Sequence, residues 1–284
     1  MQHSVEVGDG VELWAEELGD RSGSTVLLVM GANSSGLVWP DALLERLAVA
    51  HHVVRYDHRD TGRSSHAFAR HPYPLRQLAD DAVTVLDALG IDRAHVVGMS
   101  MGGTLVQLLL LDHPDRLLSA TVFATGALGG APGGDALPGP AEELLALWAT
   151  LGEERDDEAE LDWRVAHWRV LNGDAVPFDP AELRALEERV LAHGGRHPGP
   201  VAHALADPVG LDRGGELAAV SVPTLVVEAP ADPAFPPPHA AHLAASIGGA
   251  VLARVPGMGH ALTAAVLGPF GDLLEAHLDE VERG

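Results

Sequence analysis

The sequence predicts an α/β fold with a mostly parallel central sheet, helices on both sides of it, and an inserted helical cap. Short, largely apolar runs such as 25–29 and 223–229 alternate with segments of helical period such as 75–89. Strands buried on both faces have the first pattern, and β-α-β alternation implies parallel pairing. Residues 138–220 are helical in pattern and contain no convincing strand, which indicates the cap.

Each element has its own signal along the chain. Segments 4–7 and 11–17 flank Gly8-Asp9-Gly10, which predicts a hairpin. Further strands are predicted at 25–29, 53–56, 94–98, 118–123, 223–229 and 251–255, and helices at 41–49, 75–89, 101–113, 238–246 and 269–281. A glycine-rich linker at 126–134 precedes the cap. We therefore predict a core domain, 1–126 with 221–284, and a helical cap, 127–220.

Composition excludes several classes of function. The chain has no cysteine and no lysine, which excludes thiol chemistry and a lysine Schiff base. The net charge of −23 disfavours nucleic acid and anionic membranes as partners. No apolar run is long enough to span a bilayer, and the first residues lack the pattern of a secretory signal. We predict a cytoplasmic protein without cofactor, metal, nucleic-acid partner or membrane partner, and leave its oligomeric state open.

The segment Gly98-Met99-Ser100-Met101-Gly102 has the pattern G-x-S-x-G, typical of a nucleophile elbow. A strand pattern precedes it and a helix pattern follows it, as this sharp turn requires. Glycine lacks a Cβ and so lets neighbouring backbone approach, while the helix N-terminus favours developing negative charge. A chance match in a chain with 32 glycines is the alternative. The flanking elements favour Ser100 as a catalytic nucleophile.

A serine nucleophile needs a base, and in this architecture the base follows the last strand. Among 16 histidines, His260 has that position, in a loop after the strand at 251–255. His58 also follows a strand but precedes the serine, so it is the weaker candidate. The other histidines are expected at the surface or at helix ends, including His95, His113, His193 and His203.

The acid of such a triad follows the penultimate strand, where Asp232 comes after Pro230-Ala231. An aspartate that only initiates a turn is the alternative reading. Asp207 and Asp212 are rivals from the cap, although neither follows a strand.

The reaction also requires two backbone N–H donors for the oxyanion. We expect one from Met101, the residue after the nucleophile, and one from Ala32, in the loop after the strand at 25–29. Four further side chains are candidates for a substrate pocket: Trp148, Trp163 and Trp168 of the cap, and Asn33 beside Ala32.

The chain resembles the α/β-hydrolase superfamily from end to end and, within it, the aclacinomycin methylesterases, which are anthracycline-tailoring esterases. The resemblance lies in the segments 11–14, 28–31, 55–64, 94–98 and 256–261. It assigns Ser100 as nucleophile, Asp232 as acid and His260 as base. The chain departs from the family pattern at Met30, where many relatives have histidine, and at Ala32, where the methylesterases have a second glycine.

The resemblance implies an α/β-hydrolase fold and a serine carboxylic-ester hydrolase, with a bulky, apolar aromatic polyketide methyl ester as its small-molecule substrate. Two alternatives stay open at this point. The same fold and triad serve C–C hydrolases, thioesterases, cofactor-free haloperoxidases and decarboxylases, because a fold does not fix a chemistry. A non-catalytic small-molecule binder is the second alternative.

Overall fold

The computed structural model describes residues 1–130, 136–195 and 201–284, and these contain one eight-stranded sheet. The strands are β1 (Gln2–Glu6), β2 (Glu12–Leu18), β3 (Thr25–Val29), β4 (His52–Tyr56), β5 (Ala94–Met99), β6 (Leu117–Phe123), β7 (Thr224–Glu228) and β8 (Val251–Arg254). Their spatial order is β1-β2-β4-β3-β5-β6-β7-β8. β2 runs antiparallel to both of its neighbours, and all other pairs are parallel. The predicted α/β fold is confirmed.

Nine α-helices are described: α1 (Asp41–Leu47), α2 (Gln77–Ala88), α3 (Met101–Asp112), α4 (Glu142–Trp148), α5 (Asp157–Asn172), α6 (Pro180–Gly194), α7 (Ala202–Leu205), α8 (His239–Ser246) and α9 (Ala264–Arg283). The closing helix α9 begins five residues before the predicted start. Thr263 caps it with extended backbone, and its carbonyl accepts from Val266 and Leu267. Pro269 therefore lies inside the helix rather than at its first turn.

Two apolar layers enclose the sheet, because successive residues of a strand point to opposite faces. Leu27 and Val29 of β3 belong to a cluster shared with α2, α3 and α8. Val26 and Leu28 belong to the opposite cluster, shared with α1 and α9. Strands buried on both faces explain why the parallel strands read as continuous apolar runs.

Helices α4 to α7 lie between β6 and β7, where the sequence predicts the cap. Leu144, Trp168 and Leu183 of this region pack in the same cluster as α1 and α9. The domain boundaries at 126/127 and 220/221 stay a prediction. The linker predicted at 126–134 lies partly outside the described residues, which omit 131–135. Among the described helices, none combines the length and the hydropathy that a bilayer-spanning helix needs.

Candidate active site

Ser100 lies between the end of β5 and the start of α3, with φ +56° and ψ −123°. A residue with a side chain rarely adopts such a backbone conformation, and it costs on the order of 1–3 kcal/mol. The flanking glycines make the turn possible. A Cβ on Gly98 would lie 2.4 Å from the Gly102 carbonyl oxygen, and a Cβ on Gly102 would lie 2.0 Å from the Val29 carbonyl oxygen. The elbow predicted from G-x-S-x-G is therefore built as a strained turn.

The serine side chain is half-buried and lies beside the loop after β3. A Cβ on Gly31 would approach Ser100 Cβ to 3.2 Å, so this loop passes directly along the serine. The Ser100 backbone is fixed by its N–H, which donates to the Phe123 carbonyl over 3.1 Å, and by its carbonyl, which accepts from Thr104. Among the described residues, the Ser100 hydroxyl makes no hydrogen bond.

Asp232 and His260 form a buried pair at the ends of the last two strands. Asp232 follows β7 and His260 follows β8, and His260 Nδ1 lies 3.0 Å and 2.9 Å from the two carboxylate oxygens. Asp232 Oδ1 also accepts from the N–H groups of Ala234 and Phe235, over 2.7 Å and 3.0 Å. The Phe235 ring stacks on the imidazole, with 6.0 Å between the ring centroids.

The charge of this pair follows from its contacts. Burial opposes ionisation of Asp232, but the His260 imidazole and the two backbone N–H groups outweigh it and lower the pKa of Asp232 below its usual value. An ionised carboxylate only accepts hydrogen bonds, so the proton of His260 belongs on Nδ1. Nε2 is then left as the basic nitrogen, as a general base requires.

The cap holds the loop of His260. The His260 N–H donates to the Leu171 carbonyl at the end of α5, over 2.7 Å. A Cβ on Gly259 would lie 2.2 Å from the Asn172 carbonyl oxygen, so only glycine fits against this helix end. The last turn of α5 therefore fixes where the imidazole can lie.

Among the described residues, the N–H groups of Ala32 and Met101 donate no hydrogen bond. The next N–H of the same loop, that of Asn33, is occupied by His203 Nδ1 at 2.9 Å. Ala32 thus offers a free N–H in this loop, and Met101 offers one at the start of α3.

Among the histidines predicted at the surface or at helix ends, His95 is misplaced, because it is a buried residue of a strand. His193 and His203 lie in the last turns of α6 and α7, as predicted, although their side chains are buried. His95 lies within β5 and contacts the Ser119 hydroxyl, and His193 is at a helix end yet packed inward. His113 is half-buried. A single histidine in a helical pattern carries no mark of burial, because its polar atoms are satisfied by residues distant in sequence.

His58, the weaker candidate for the base, is a structural residue in the core. It is fully buried, and its Nε2–H donates to the Met30 carbonyl over 2.9 Å. Burial and the neighbouring His203 lower the pKa of His58 to about 3, so it is neutral near pH 7. The rival acids Asp207 and Asp212 are exposed, whereas Asp232 is buried against His260.

The segment 57–64, which carries part of the family resemblance, joins the loops around the site. The buried Asp57 carboxylate accepts from the Ser35 hydroxyl and from the N–H groups of Gly36 and Arg63. His193 Nε2 of the cap lies 2.8 Å from the same carboxylate. Asp57 therefore joins the loop after β3 to the cap helix α6.

The tryptophans of the cap surround a histidine. Trp148 Nε1 donates to His167 Nε2 over 3.0 Å, and the Trp163 ring stacks on His167 at 5.2 Å. Trp168 is buried, and its Nε1 donates to Glu187 over 2.6 Å. Burial is the main cause that lowers the pKa of His167 to about 4. The pocket roles of these side chains stay a prediction.

Two cavities adjoin the loop after β3. The larger, of about 350 Å³, has Asn33, Gly62, Phe68, Leu191 and Ala202 among its walls. The smaller, of about 20 Å³, is lined by residues that include Trp168, Met30 and Met99. Among the described residues that line either cavity, the predicted triad does not appear. No cluster of three or more potential metal ligands occurs in the described residues.

Comparison with known proteins agrees with the fold. The family described as "alpha/beta hydrolase fold" matches residues 24–153. Rhodomycin D methylesterases DauP of Streptomyces sp. (strain C5) and DnrP of Streptomyces peucetius are each 45% identical over 284 residues, which covers 95% of this chain and 95% of each relative. A solved hydrolase of Pseudomonas aeruginosa PA01 is 26% identical, covers 98% of both chains and has a TM-score of 0.75. The chain belongs to the α/β-hydrolase family, and its similarity to two of the family's methylesterases extends over nearly its whole length.

Proposed function

We propose that this chain is a serine carboxylic-ester hydrolase that removes the methyl group from the ester of a bulky aromatic polyketide of the anthracycline type. The substrate class is supported by the 45% identity to two rhodomycin D methylesterases over 95% of each chain. The apolar and aromatic side chains of the cap are compatible with such a ligand.

In the first half of the reaction, Ser100 Oγ attacks the ester carbonyl while His260 Nε2 takes the hydroxyl proton. The carbonyl oxygen becomes an oxyanion, which the N–H groups of Ala32 and Met101 stabilise. One such donor is worth about 3 kcal/mol in the transition state. Asp232 holds the imidazole in the Nδ1–H tautomer and stabilises the imidazolium that forms.

In the second half, His260 returns the proton to the leaving oxygen, and methanol departs. The acyl group is then an ester of Ser100. A water molecule gives a proton to His260 Nε2 and attacks the acyl carbonyl, and His260 then returns that proton to Ser100 Oγ as the carboxylic acid leaves.

The observation that carries the proposal is the buried Asp232–His260 pair on the same sheet edge as the strained Ser100. Ser100 follows β5, Asp232 follows β7 and His260 follows β8, all at carboxyl ends of parallel strands. Ligands of open α/β sheets bind outside these ends. If Asp232 had only a structural role, there would be no need for His260 Nε2 to stay free to accept a proton.

The test is product analysis with an anthracycline methyl ester. We expect one methanol and one carboxylic acid per substrate consumed, and a loss of about 10⁶-fold in kcat for Ser100→Ala. Ser22→Ala, in an exposed turn, is the matched control and keeps the wild-type rate. A fluorophosphonate probe is expected to label the wild type and S22A but not S100A. More than a tenth of wild-type activity in S100A contradicts the proposal.

The same experiment separates the other chemistries of this fold. Carbon dioxide without methanol indicates a decarboxylase, and probe labelling without turnover of any methyl ester indicates a different acyl substrate. Absence of labelling in the wild type supports a non-catalytic binder. We include in the proposal a cytoplasmic location and a small-molecule substrate as the partner, which cell fractionation and substrate profiling would test.

A further inference from the structure

We propose that His203 of the cap is a positioning residue of the oxyanion hole, which holds the loop after β3 so that the Ala32 N–H stays free to face Ser100. This inference rests on the proposed function, because it assigns a role relative to the oxyanion of that reaction.

Two hydrogen bonds fix the His203 ring. The Asn33 N–H donates to Nδ1 over 2.9 Å, and Nε2 donates to the Arg59 carbonyl over 2.8 Å. A backbone N–H only donates and a carbonyl only accepts, so both partners select the same neutral tautomer. The side chain is 4% exposed, and burial lowers its pKa, which keeps the ring in that neutral state.

The loop is held at both of its ends. At its start, the Met30 carbonyl accepts from His58 Nε2, and at Asn33 the N–H is taken by His203. The two imidazoles also pack edge to face, with 5.8 Å between their centroids. Between these anchors lie Gly31, which passes along Ser100, and Ala32, whose N–H is unused among the described residues.

Asn33 shows why the second anchor matters. Its φ of +56° is a left-handed conformation, which asparagine adopts more readily than most residues that have a side chain. The bond to His203 holds Asn33 in this conformation and directs the Asn33 N–H toward the cap. Without an acceptor there, the loop is free to relax, and the Ala32 N–H moves away from the position of the oxyanion.

His203 belongs to α7, so a residue of the cap orders a catalytic loop of the core. A misplacement of about 1 Å of a catalytic group can cost about 10²-fold in rate. The cap therefore affects the reaction step itself, in addition to any contact that it makes with substrate.

Two substitutions distinguish the roles of the two ring nitrogens of His203. The side-chain amide of His203→Asn reaches the place of Nδ1 and keeps an acceptor for the Asn33 N–H. His203→Gln reaches the place of Nε2, keeps the donor to Arg59 and loses that acceptor. We expect H203Q to lose on the order of 30-fold in kcat with KM within about twofold, because a misplaced oxyanion donor weakens only the transition state. We expect H203N to recover most of that loss.

A second readout does not depend on the natural substrate. The rate at which a fluorophosphonate labels Ser100 requires the same oxyanion donors, and we expect it to fall in H203Q in parallel with kcat. Affinity for the product acid, which carries no tetrahedral oxyanion, is expected to stay unchanged. His203→Leu removes both bonds and replaces H203Q if that variant does not fold.

Equal losses in H203N and H203Q overturn the inference, as does a change in KM alone or an unchanged labelling rate in H203Q and H203L. Failure of the proposed function has a different signature, which is wild-type protein that releases no methanol. Where that wild-type protein still reacts with the fluorophosphonate, the labelling rates of the His203 variants decide the role of His203, whereas a wild type that is not labelled overturns both proposals.

Discussion

Asp232→Asn tests the acid of the triad with little change in shape. In the wild type, Oδ1 accepts from the N–H groups of Ala234 and Phe235, while Oδ2 lies 2.9 Å from His260 Nδ1. The two backbone donors require an acceptor, so the amide oxygen of the variant takes the place of Oδ1. Its NH₂ group then takes the place of Oδ2 and faces the imidazole.

The consequence is a change of tautomer. An NH₂ group only donates, so His260 must accept at Nδ1 and carry its proton on Nε2. His260 Nε2 is then already protonated and cannot accept the proton of the Ser100 hydroxyl, so the nucleophile is no longer activated. We expect kcat to fall by about 10⁴-fold, which corresponds to about 5.5 kcal/mol.

The assay is methanol release from an anthracycline methyl ester at pH 7, with KM measured in parallel. The matched control is Asp207→Asn, which changes an exposed aspartate and is expected to keep the wild-type rate. KM is expected to stay within a few-fold, because the carboxylate acts in the transition state. A D232N enzyme with more than a tenth of wild-type kcat would refute this assignment of the acid.

Three further predictions concern the elbow, the buried histidines and the cap. Gly102→Ala would place a Cβ 2.0 Å from the Val29 carbonyl oxygen and is expected to lower the unfolding temperature strongly. The control Gly268→Ala, in α9, has open space around the new Cβ and is expected to leave the unfolding temperature unchanged or raise it, so equal thermal denaturation curves for the two variants would contradict the packing argument. As the pH falls below about 6.5, the free energy of unfolding is expected to decrease, because His58 binds a proton in the unfolded chain but, when buried, binds one only near its lowered pKa of about 3. His58→Gln keeps the donor to the Met30 carbonyl and is expected to reduce the slope of the free energy of unfolding against pH by up to about 1.4 kcal/mol per pH unit, as measured by urea titrations. Trp163→Leu is expected to raise KM severalfold for the polyketide ester and not for a small acetate ester, and an equal rise for both would exclude a pocket role for this ring.

The sheet and the elbow could be predicted from the sequence because their signals are local. A strand buried on both faces is apolar throughout, and a helix with one buried side has a period of 3.6. The start of α9 differs from the predicted one because Pro269 is typical of a first helical turn, whereas Thr263 and the packing of Val266 place the start earlier. Only the fold decides between these two signals.

The candidate triad could also be predicted from the sequence, since chain order and position after a strand select Asp232 and His260. The contacts that support the oxyanion loop could not be predicted in this way. His203 is 170 residues from Asn33 in sequence and 144 from Arg59, and its burial depends on how the cap closes over the loop. No sequence pattern around a single histidine in a cap helix indicates such contacts, so only the tertiary structure shows them.

The central claim is that His260 Nε2 comes within hydrogen-bond reach of Ser100 Oγ during the reaction, although the Ser100 hydroxyl makes no hydrogen bond among the described residues. The most direct measurement is the distance from His260 Nε2 to Ser100 Oγ in a crystal structure of the protein. We predict about 3 Å, within hydrogen-bond reach of a general base and its nucleophile. An imidazole turned away, with more than about 5 Å between these two atoms both in the free enzyme and after phosphonylation of Ser100, would contradict the account.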